Sequence, residues 1–134
     1  MYPGSGKFRA AMDQAPADQQ PLLRRLTDWA EQLDAAGMVV LKTYRGKNAI
    51  TTLLPRLPTE DAGLATIYQE PKAAYLQLWP SVFARRAPKS LAAVEAALGE
   101  PVRNGAKIRH VTNDLLHVLT SAYREATQAG TAPT

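Results

Sequence analysis

Basic residues gather in three stretches of this sequence that contain no acidic residue, and this pattern suggests a specific chemistry. Lysine and arginine side chains that share one surface bind nucleic-acid phosphates and release the counterions around them. The stretches hold Lys42, Arg45, Lys47 and Arg56 between Asp34 and Glu60, then Lys72, Arg85, Arg86 and Lys89 between Glu70 and Glu95, and finally Arg103, Lys107 and Arg109 between Glu100 and Asp114.

We therefore predict a nucleic-acid-binding surface, on the condition that the stretches meet on one face of the folded chain. Tyr44 and Asn48 lie beside these cations in sequence and add groups that stack or form hydrogen bonds. The competing interpretation is a solvated face that only keeps the protein soluble. The predicted binding residues are Lys42, Tyr44, Arg45, Lys47, Asn48, Arg85, Arg86 and Lys89.

A set of acidic residues supports a different hypothesis, a metal-dependent nuclease-like hydrolase. Glu70-Pro71-Lys72 resembles the Glu-x-Lys element of restriction-type nucleases, in which two carboxylates hold magnesium and the lysine stabilises developing charge. Glu60 and Asp61 are the acids available to complete such a site. Pro71 interrupts the required strand, because proline donates no hydrogen bond to a sheet. We keep this hypothesis as an alternative and assign no catalytic residue.

Two further motifs match known chemistry only in part. His110, Asp114 and His117 follow one another at spacings of four and three, which would align them on one helix face as a metal site requires. Gly4-Ser5-Gly6-Lys7 resembles the end of a phosphate-binding loop, but Phe8 stands where that loop has a serine or threonine for magnesium. We predict no metal site and no cofactor from these motifs.

Length and composition favour one folded domain. A chain of 134 residues with 46% hydrophobic residues fits one core better than two. The net charge of +4 is smaller than that of chains which stay unfolded through self-repulsion. The sequence has no cysteine, no hydrophobic segment of the secretory type at its start and no apolar run long enough to span a bilayer. We expect a cytoplasmic protein without disulfides and without a membrane partner.

Hydrophobic spacing predicts a helix followed by an antiparallel meander. Apolar residues recur at helical spacing from Pro21 to Leu33, and Gly37 is placed to end that helix. Four runs of alternating, β-branched or aromatic residues then predict strands at 38–44, 49–54, 64–69 and 74–79. On the last of these, Tyr75, Gln77 and Trp79 alternate and would line one face of the sheet.

Helical patterns return after the fourth predicted strand. Pro80 favours the first turn of a short helix that continues to Arg86, because proline has no N–H to leave unpaired there. Another helix is predicted from Ser90 to a stop at Gly99, and a last one from about Thr112. The predicted fold class is α+β, with an N-terminal helix, a four-stranded antiparallel meander and two to three C-terminal helices packed on one sheet face.

The two ends of the chain are more polar than its middle. We predict a flexible arm over residues 1–20, a single α+β domain over 21–129 and a frayed tail over 130–134. The leading functional hypothesis is a small, basic, non-catalytic module that contacts the phosphates of DNA or RNA. Exposed sheet edges and polar ends also support a second hypothesis, a domain for protein interaction or homo-oligomerisation.

Overall fold

Residues 1–131 form one antiparallel sheet and five helices. The computed structural model describes the backbone of residues 1–131 and the side chains of residues 1–128. In chain order the elements are β1 (Tyr2–Pro3), α1 (Gly6–Met12), α2 (Gln20–Ala35), β2 (Val40–Arg45), β3 (Thr51–Arg56), β4 (Ala65–Glu70), β5 (Ala73–Leu78), α3 (Pro80–Arg86), α4 (Leu91–Leu98) and α5 (Asn113–Thr131). The predicted α+β class is confirmed.

The sheet has five strands in the order β1-β2-β3-β4-β5, one more than the sequence predicts. The additional strand is β1, in which Tyr2 and Pro3 pair with Thr43 and Lys42 of β2. Two residues are too few to show the alternation that identifies a strand from sequence. The four predicted strands correspond to β2, β3, β4 and β5, and each is antiparallel to its neighbour.

One face of the sheet is covered by helices and holds the core. Leu53, Ile67 and Leu76 lie on neighbouring strands and are fully buried under this cover. Helices α1 and α2 contact β2 and β3, while α5 contacts α3 and α4. Burying a side chain such as leucine stabilises the fold by about 2 kcal/mol, so this single apolar layer supplies most of the driving force.

Helix α2 ends as its sequence predicts. Gly37 adopts a φ of +75°, a left-handed conformation that costs glycine less than any other residue. The N–H of Met38 donates to the Leu33 carbonyl at 3.0 Å, and the N–H of Gly37 donates to the Asp34 carbonyl at 3.0 Å. Both bonds satisfy carbonyls of the last helical turn and direct the chain into β2.

Two side chains of the segment predicted as a flexible arm, those of Phe8 and Met12, lie in the core. Phe8 of α1 is fully buried and Met12 is 4% exposed. Arg9 connects α1 to α2 through ion pairs with Asp28 at 2.6 Å and Glu31 at 2.7 Å. These two apolar side chains and the Arg9 ion pairs hold the seven-residue helix α1 against the rest of the domain.

A tyrosine hydroxyl takes the place of backbone pairing where β3 and β4 separate. The ladder between these strands ends at Leu53, two residues before Pro55, which has no N–H to donate. The Tyr123 hydroxyl donates to the Pro55 carbonyl at 2.7 Å and accepts from the Ala65 N–H at 3.1 Å. Gly63 makes room for this arrangement, since a Cβ there would lie 2.1 Å from the Pro55 oxygen.

The outer strands of the sheet are partly covered. On one side β1 pairs with part of β2. On the other side the loop between α4 and α5 runs along β5, where Leu76 and Ile108 exchange two backbone hydrogen bonds of 2.8 Å. This cover shortens the free edges on which the interaction hypothesis depends.

The C-terminal helix is longer than predicted. Its backbone continues to Thr131, into the tail predicted over 130–134, and residues 132–134 lie outside the described residues. Over the described backbone, no helix is both long and apolar enough to cross a lipid bilayer.

Candidate nucleic-acid interface

Every second residue of the strands points away from the helices, and these residues form what we call the open face. Along β2, Leu41 and Thr43 are buried, whereas Val40 is 46% and Tyr44 is 49% exposed. Because side chains alternate along a strand, the register of the ladders extends this division across the sheet. The open face consists of Val40, Lys42 and Tyr44 of β2, Thr52, Leu54 and Arg56 of β3, Thr66, Tyr68 and Glu70 of β4, and Ala73, Tyr75 and Gln77 of β5.

Three tyrosines lie in one row across the open face. Tyr44 is opposite Thr52, Thr52 is opposite Tyr68, and Tyr68 is opposite Tyr75. The rings of Tyr68 and Tyr75 are stacked, with centroids 5.0 Å apart. Tyr75 is 4% exposed, so Tyr44 and the half-buried Tyr68 are the rings that a ligand can reach. Adjacent strands lie about 4.8 Å apart, which places these two rings on strands roughly 10 Å apart.

Basic side chains border the tyrosine row on both sides. Lys42 lies on β2 at one side. On the other side Lys107 and Arg109 flank the bridge to β5, and the Lys107 ammonium lies 5.0 Å from the ring centroid of Tyr75. None of the ion pairs among residues 1–128 involves Lys42, Lys107 or Arg109. These cations therefore remain available to an anionic ligand.

The inner tyrosines of the row keep their protons at neutral pH. Burial raises the pKa of the Tyr68 phenol above its usual value. Burial also raises the pKa of Tyr75, and the neighbouring Glu70 carboxylate increases this shift. A neutral ring offers a π-face for stacking and does not repel phosphates.

The β2–β3 hairpin carries five of the predicted binding residues. Two of them, Lys42 and Tyr44, lie on the open face. The other three are exposed around the turn that joins the strands, namely Arg45, Lys47 and Asn48. The β4–β5 turn lies next to this one, since Asn48 and Lys72 border the same shallow depression. Residues of the first basic stretch thus lie at one side of the open face, Lys72 of the second lies at the β4–β5 turn, and Lys107 and Arg109 of the third lie at the other side.

Arg85, Arg86 and Lys89, which the sequence groups with the hairpin, do not join this surface. Arg85 forms an ion pair with Glu60 at 3.0 Å. Arg86 is largely buried, and its guanidinium donates to the Ala126 carbonyl of α5 at 3.1 Å. Lys89 is exposed in the connection to α4, where its backbone N–H binds a glutamate carboxylate. Arg85 is thus paired with a carboxylate, and Arg86 contacts helix α5 and not the open face.

The acids of the nuclease hypothesis lie at opposite ends of β4. Glu60 and Asp61 precede this strand and are paired with arginines, whereas Glu70 is its last residue. At about 3.3 Å per residue, the strand alone spans roughly 17 Å. Carboxylates that share one metal ion must both approach within about 2.6 Å of it. The structure therefore does not bring together Glu60, Asp61, Glu70 and Lys72.

The histidine pair does not form a metal-binding set either. Helix α5 begins at Asn113, so His110 lies outside the helix that carries Asp114 and His117. In the part of the chain whose side chains are described, no three histidine or acidic residues are grouped so that they could hold a metal ion.

The predicted binding residues do not include Tyr68, Lys107 and Arg109, which the structure places on or beside the open face, although Lys107 and Arg109 belong to the third basic stretch. Alternation along β4 is a signal for Tyr68, but its place in a row with Tyr44 depends on the register of two ladders. Lys107 and Arg109 lie in a segment that the sequence predicts as a loop, and only the bridge at Ile108 brings them beside β5.

Comparisons of this chain with protein-family models, with curated proteins and with solved structures find no match.

Proposed function

We propose that this chain is a non-catalytic module that binds single-stranded nucleic acid across the open face. The observation that carries the proposal is the tyrosine row with a cation at each end: Lys42 lies two residues from Tyr44 on β2, and Lys107 lies over the Tyr75 ring beyond Tyr68. Aromatic rings stack on exposed bases, and lysine side chains bind the phosphates that join them. The bases of a duplex are stacked on each other, so an aromatic sheet face favours single strands.

Cations beyond the row support the same proposal. Arg45, Lys47 and Lys72 are exposed at the turns that end the sheet next to Tyr44. Glu70 is the acidic residue of the open face, and it lies at that same end. A phosphate backbone that crosses the row from β2 to β5 meets more cations than carboxylates. Such binding weakens as salt rises, because each neutralised phosphate releases counterions.

Reversing one charge on each side of the row is expected to weaken binding. The double variant Lys42→Glu/Lys107→Glu should lose about tenfold or more in affinity at low salt, since two phosphate contacts become repulsive. The slope of log affinity against log salt should fall by about 1.4, because each phosphate contact on a single strand contributes about 0.7. Fluorescence anisotropy with labelled single-stranded DNA and RNA measures both quantities.

The matched control places the same charge change on the helical side of the molecule. Arg24 and Lys89 are exposed there, and Arg24→Glu/Lys89→Glu should keep the affinity within about twofold because neither residue borders the open face. An equal loss in both double variants would show that only net charge matters. That result, or no affinity of the unchanged protein for any strand at low salt, would contradict the proposal.

Self-association is the second candidate function, and the distribution of exposed apolar residues favours it. Among the side chains of residues 1–128, the large hydrophobic ones that are exposed lie on β1, β2 and the residue before β1, namely Met1, Tyr2, Val40 and Tyr44. Exposed apolar side chains on a partly covered sheet edge are typical of an interface. Light scattering separates the two functions. If the protein is a dimer that Val40→Lys dissociates, and if it has no affinity for nucleic acid, this edge is an assembly interface.

A further inference from the structure

The open face contains a half-open cleft of about 300 Å³ where β3 and β4 separate. The strands separate there because the Tyr123 hydroxyl stands between the Pro55 carbonyl and the Ala65 N–H. Leu54 and Thr66 line the cleft from the two strands. A cavity of this size accommodates a small ring system.

The wall of the cleft is a fixed aromatic ring. The Trp79 indole N–H donates to the Thr66 hydroxyl at 2.7 Å, which holds the ring in place. Leu54 and Val82 add apolar surface beside it. A flat, apolar and immobile wall stabilises a flat ligand by stacking at low entropic cost.

The mouth of the cleft is polar. Arg56 and Asp61 form an ion pair of 2.7 Å there, and the Asp61 side chain is 81% exposed while that of Arg56 is 20% exposed. The pair offers hydrogen-bond donors from the guanidinium and acceptors from the carboxylate. A nucleobase has the matching chemistry, since its faces are apolar and its edge carries both donors and acceptors.

The cleft adjoins the tyrosine row on the same face. Thr66 and Tyr68 are separated by one residue of β4, which corresponds to about 7 Å along the strand. Leu54, on the other wall, is paired with Lys42 of the cationic border. A strand stacked on Tyr68 therefore passes the opening of the cleft.

We infer that the cleft receives one unstacked base of the bound strand, with the ring against Trp79 and the polar edge towards Arg56 and Asp61. The inference rests on the proposed function, because the tyrosine row and its cations must first bind the nucleic-acid strand beside the cleft. It adds a position at which the chain reads the identity of one base.

Tryptophan fluorescence provides the test. The sequence has two tryptophans, and Trp29 is 5% exposed in the core, so Trp29→Phe leaves Trp79 as the reporter. Saturation with a mixed-sequence single-stranded oligonucleotide should quench Trp79 emission by about half or more and reduce its quenching by acrylamide, because a stacked base covers the ring. The unchanged protein should show the same changes over a constant Trp29 background if the Trp29→Phe variant folds poorly.

Two substitutions on α3 separate the cleft from its surroundings. Ser81 lines the cleft and is exposed, so Ser81→Leu should fill the cleft without disturbing the core. It should lower the affinity about tenfold, the loss expected for one stacked base, and abolish the Trp79 signal. Ala84→Leu is the control, since Ala84 is exposed on the same helix and outside the cleft. It should change neither quantity.

The outcomes distinguish this inference from the proposed function. If the oligonucleotide binds in a manner sensitive to Lys42 and Lys107 but leaves Trp79 emission unchanged, the cleft is empty and only the further inference fails. If the Ser81→Leu and Ala84→Leu variants bind the oligonucleotide equally well, the inference that the cleft receives a base is likewise contradicted. If no strand binds the unchanged protein, both proposals fail.

Discussion

Tyr123 shows how one buried side chain shapes the surface on the other side of the sheet. Its ring contacts Trp29 edge to face in the core, with centroids 6.1 Å apart. Its hydroxyl forms hydrogen bonds with the Pro55 carbonyl and the Ala65 N–H, two backbone groups that do not pair with each other because the β3–β4 ladder has ended. Burial raises the pKa of the Tyr123 phenol, which keeps the donating proton in place at ordinary pH. The cleft on the open face lies where this hydroxyl bridges the two separated strands.

Removing the hydroxyl is expected to destabilise the protein. Tyr123→Phe leaves the Pro55 carbonyl and the Ala65 N–H buried without partners, which costs about 2 kcal/mol. Urea unfolding followed by circular dichroism measures the change. Tyr44→Phe, which removes a hydroxyl from a ring that is 49% exposed, is the control and should shift stability by less than about 0.5 kcal/mol. Equal effects in both variants would refute the bridging role.

At the scale of elements, the β2–β3 hairpin has a turn that its sequence fits only in part. Asn48 and Ala49 have φ angles of +61° and +60°, and the Ile50 N–H donates to the Lys47 carbonyl at 3.4 Å. Two consecutive left-handed residues are typical of a type I′ turn, which suits the twist of a hairpin. Asparagine tolerates this conformation, whereas alanine is strained by about 1 kcal/mol or more.

Glycine at the strained position is therefore expected to stabilise the hairpin. Ala49→Gly should raise the free energy of unfolding by about 0.5 kcal/mol, because relief of strain exceeds the greater entropy that glycine gives the unfolded chain. Thermal unfolding reports the change. The same substitution in a helix, Ala84→Gly in α3, should lower stability by about 0.5 to 1 kcal/mol. A loss of stability in both variants would mean that the turn is not strained.

At the scale of the whole molecule, a charged contact joins the N-terminal segment to the domain. Glu31 of α2 accepts hydrogen bonds from Arg9 at 2.7 and 2.8 Å and from the Ser5 hydroxyl at 2.5 Å. The hydrogen bonds from Arg9 lower the pKa of Glu31 below its ordinary value of 4.5, although partial burial opposes the shift. The carboxylate form therefore stabilises the docked state of α1.

Acid is expected to weaken this contact. A carboxyl group whose pKa is lower in the folded state contributes stability above its ordinary pKa and loses it as pH falls towards the folded value. The side chain is 37% exposed, so solvent screening limits the contribution to about 0.5 kcal/mol. Glu31→Gln should reduce the fall in unfolding free energy between about pH 6 and about pH 3.5 by that amount.

Asp34→Asn removes the same charge from the exposed end of α2 and serves as the control for the pH experiment. Its stability should fall with acid as steeply as that of the unchanged protein. Parallel pH profiles for all three proteins would show that the Arg9–Glu31 contact contributes nothing to docking.

The positions of most helices and strands follow from local patterns. Alternation identifies β2 to β5, and helical spacing with Gly37 and Gly99 marks the ends of α2 and α4. These patterns act over a few residues and need no partner. Local patterns do not show β1, which forms only against β2, or the docking of α1, which is held by the core that accepts Phe8.

Only the part of the candidate surface that lies on the β2–β3 hairpin was predictable from the sequence. The amino-acid sequence by itself determined the order of the elements from α2 to α5, the basic hairpin and the alternating aromatic residues of the strands. Backbone periodicity decides which side chains share a strand face. Tertiary structure alone decided that Tyr44 and Tyr68 share a row, that Lys107 borders it and that Glu60 neutralises Arg85. The physical reason is that ladder register and loop docking are set by contacts between residues distant in the chain, which local patterns do not encode.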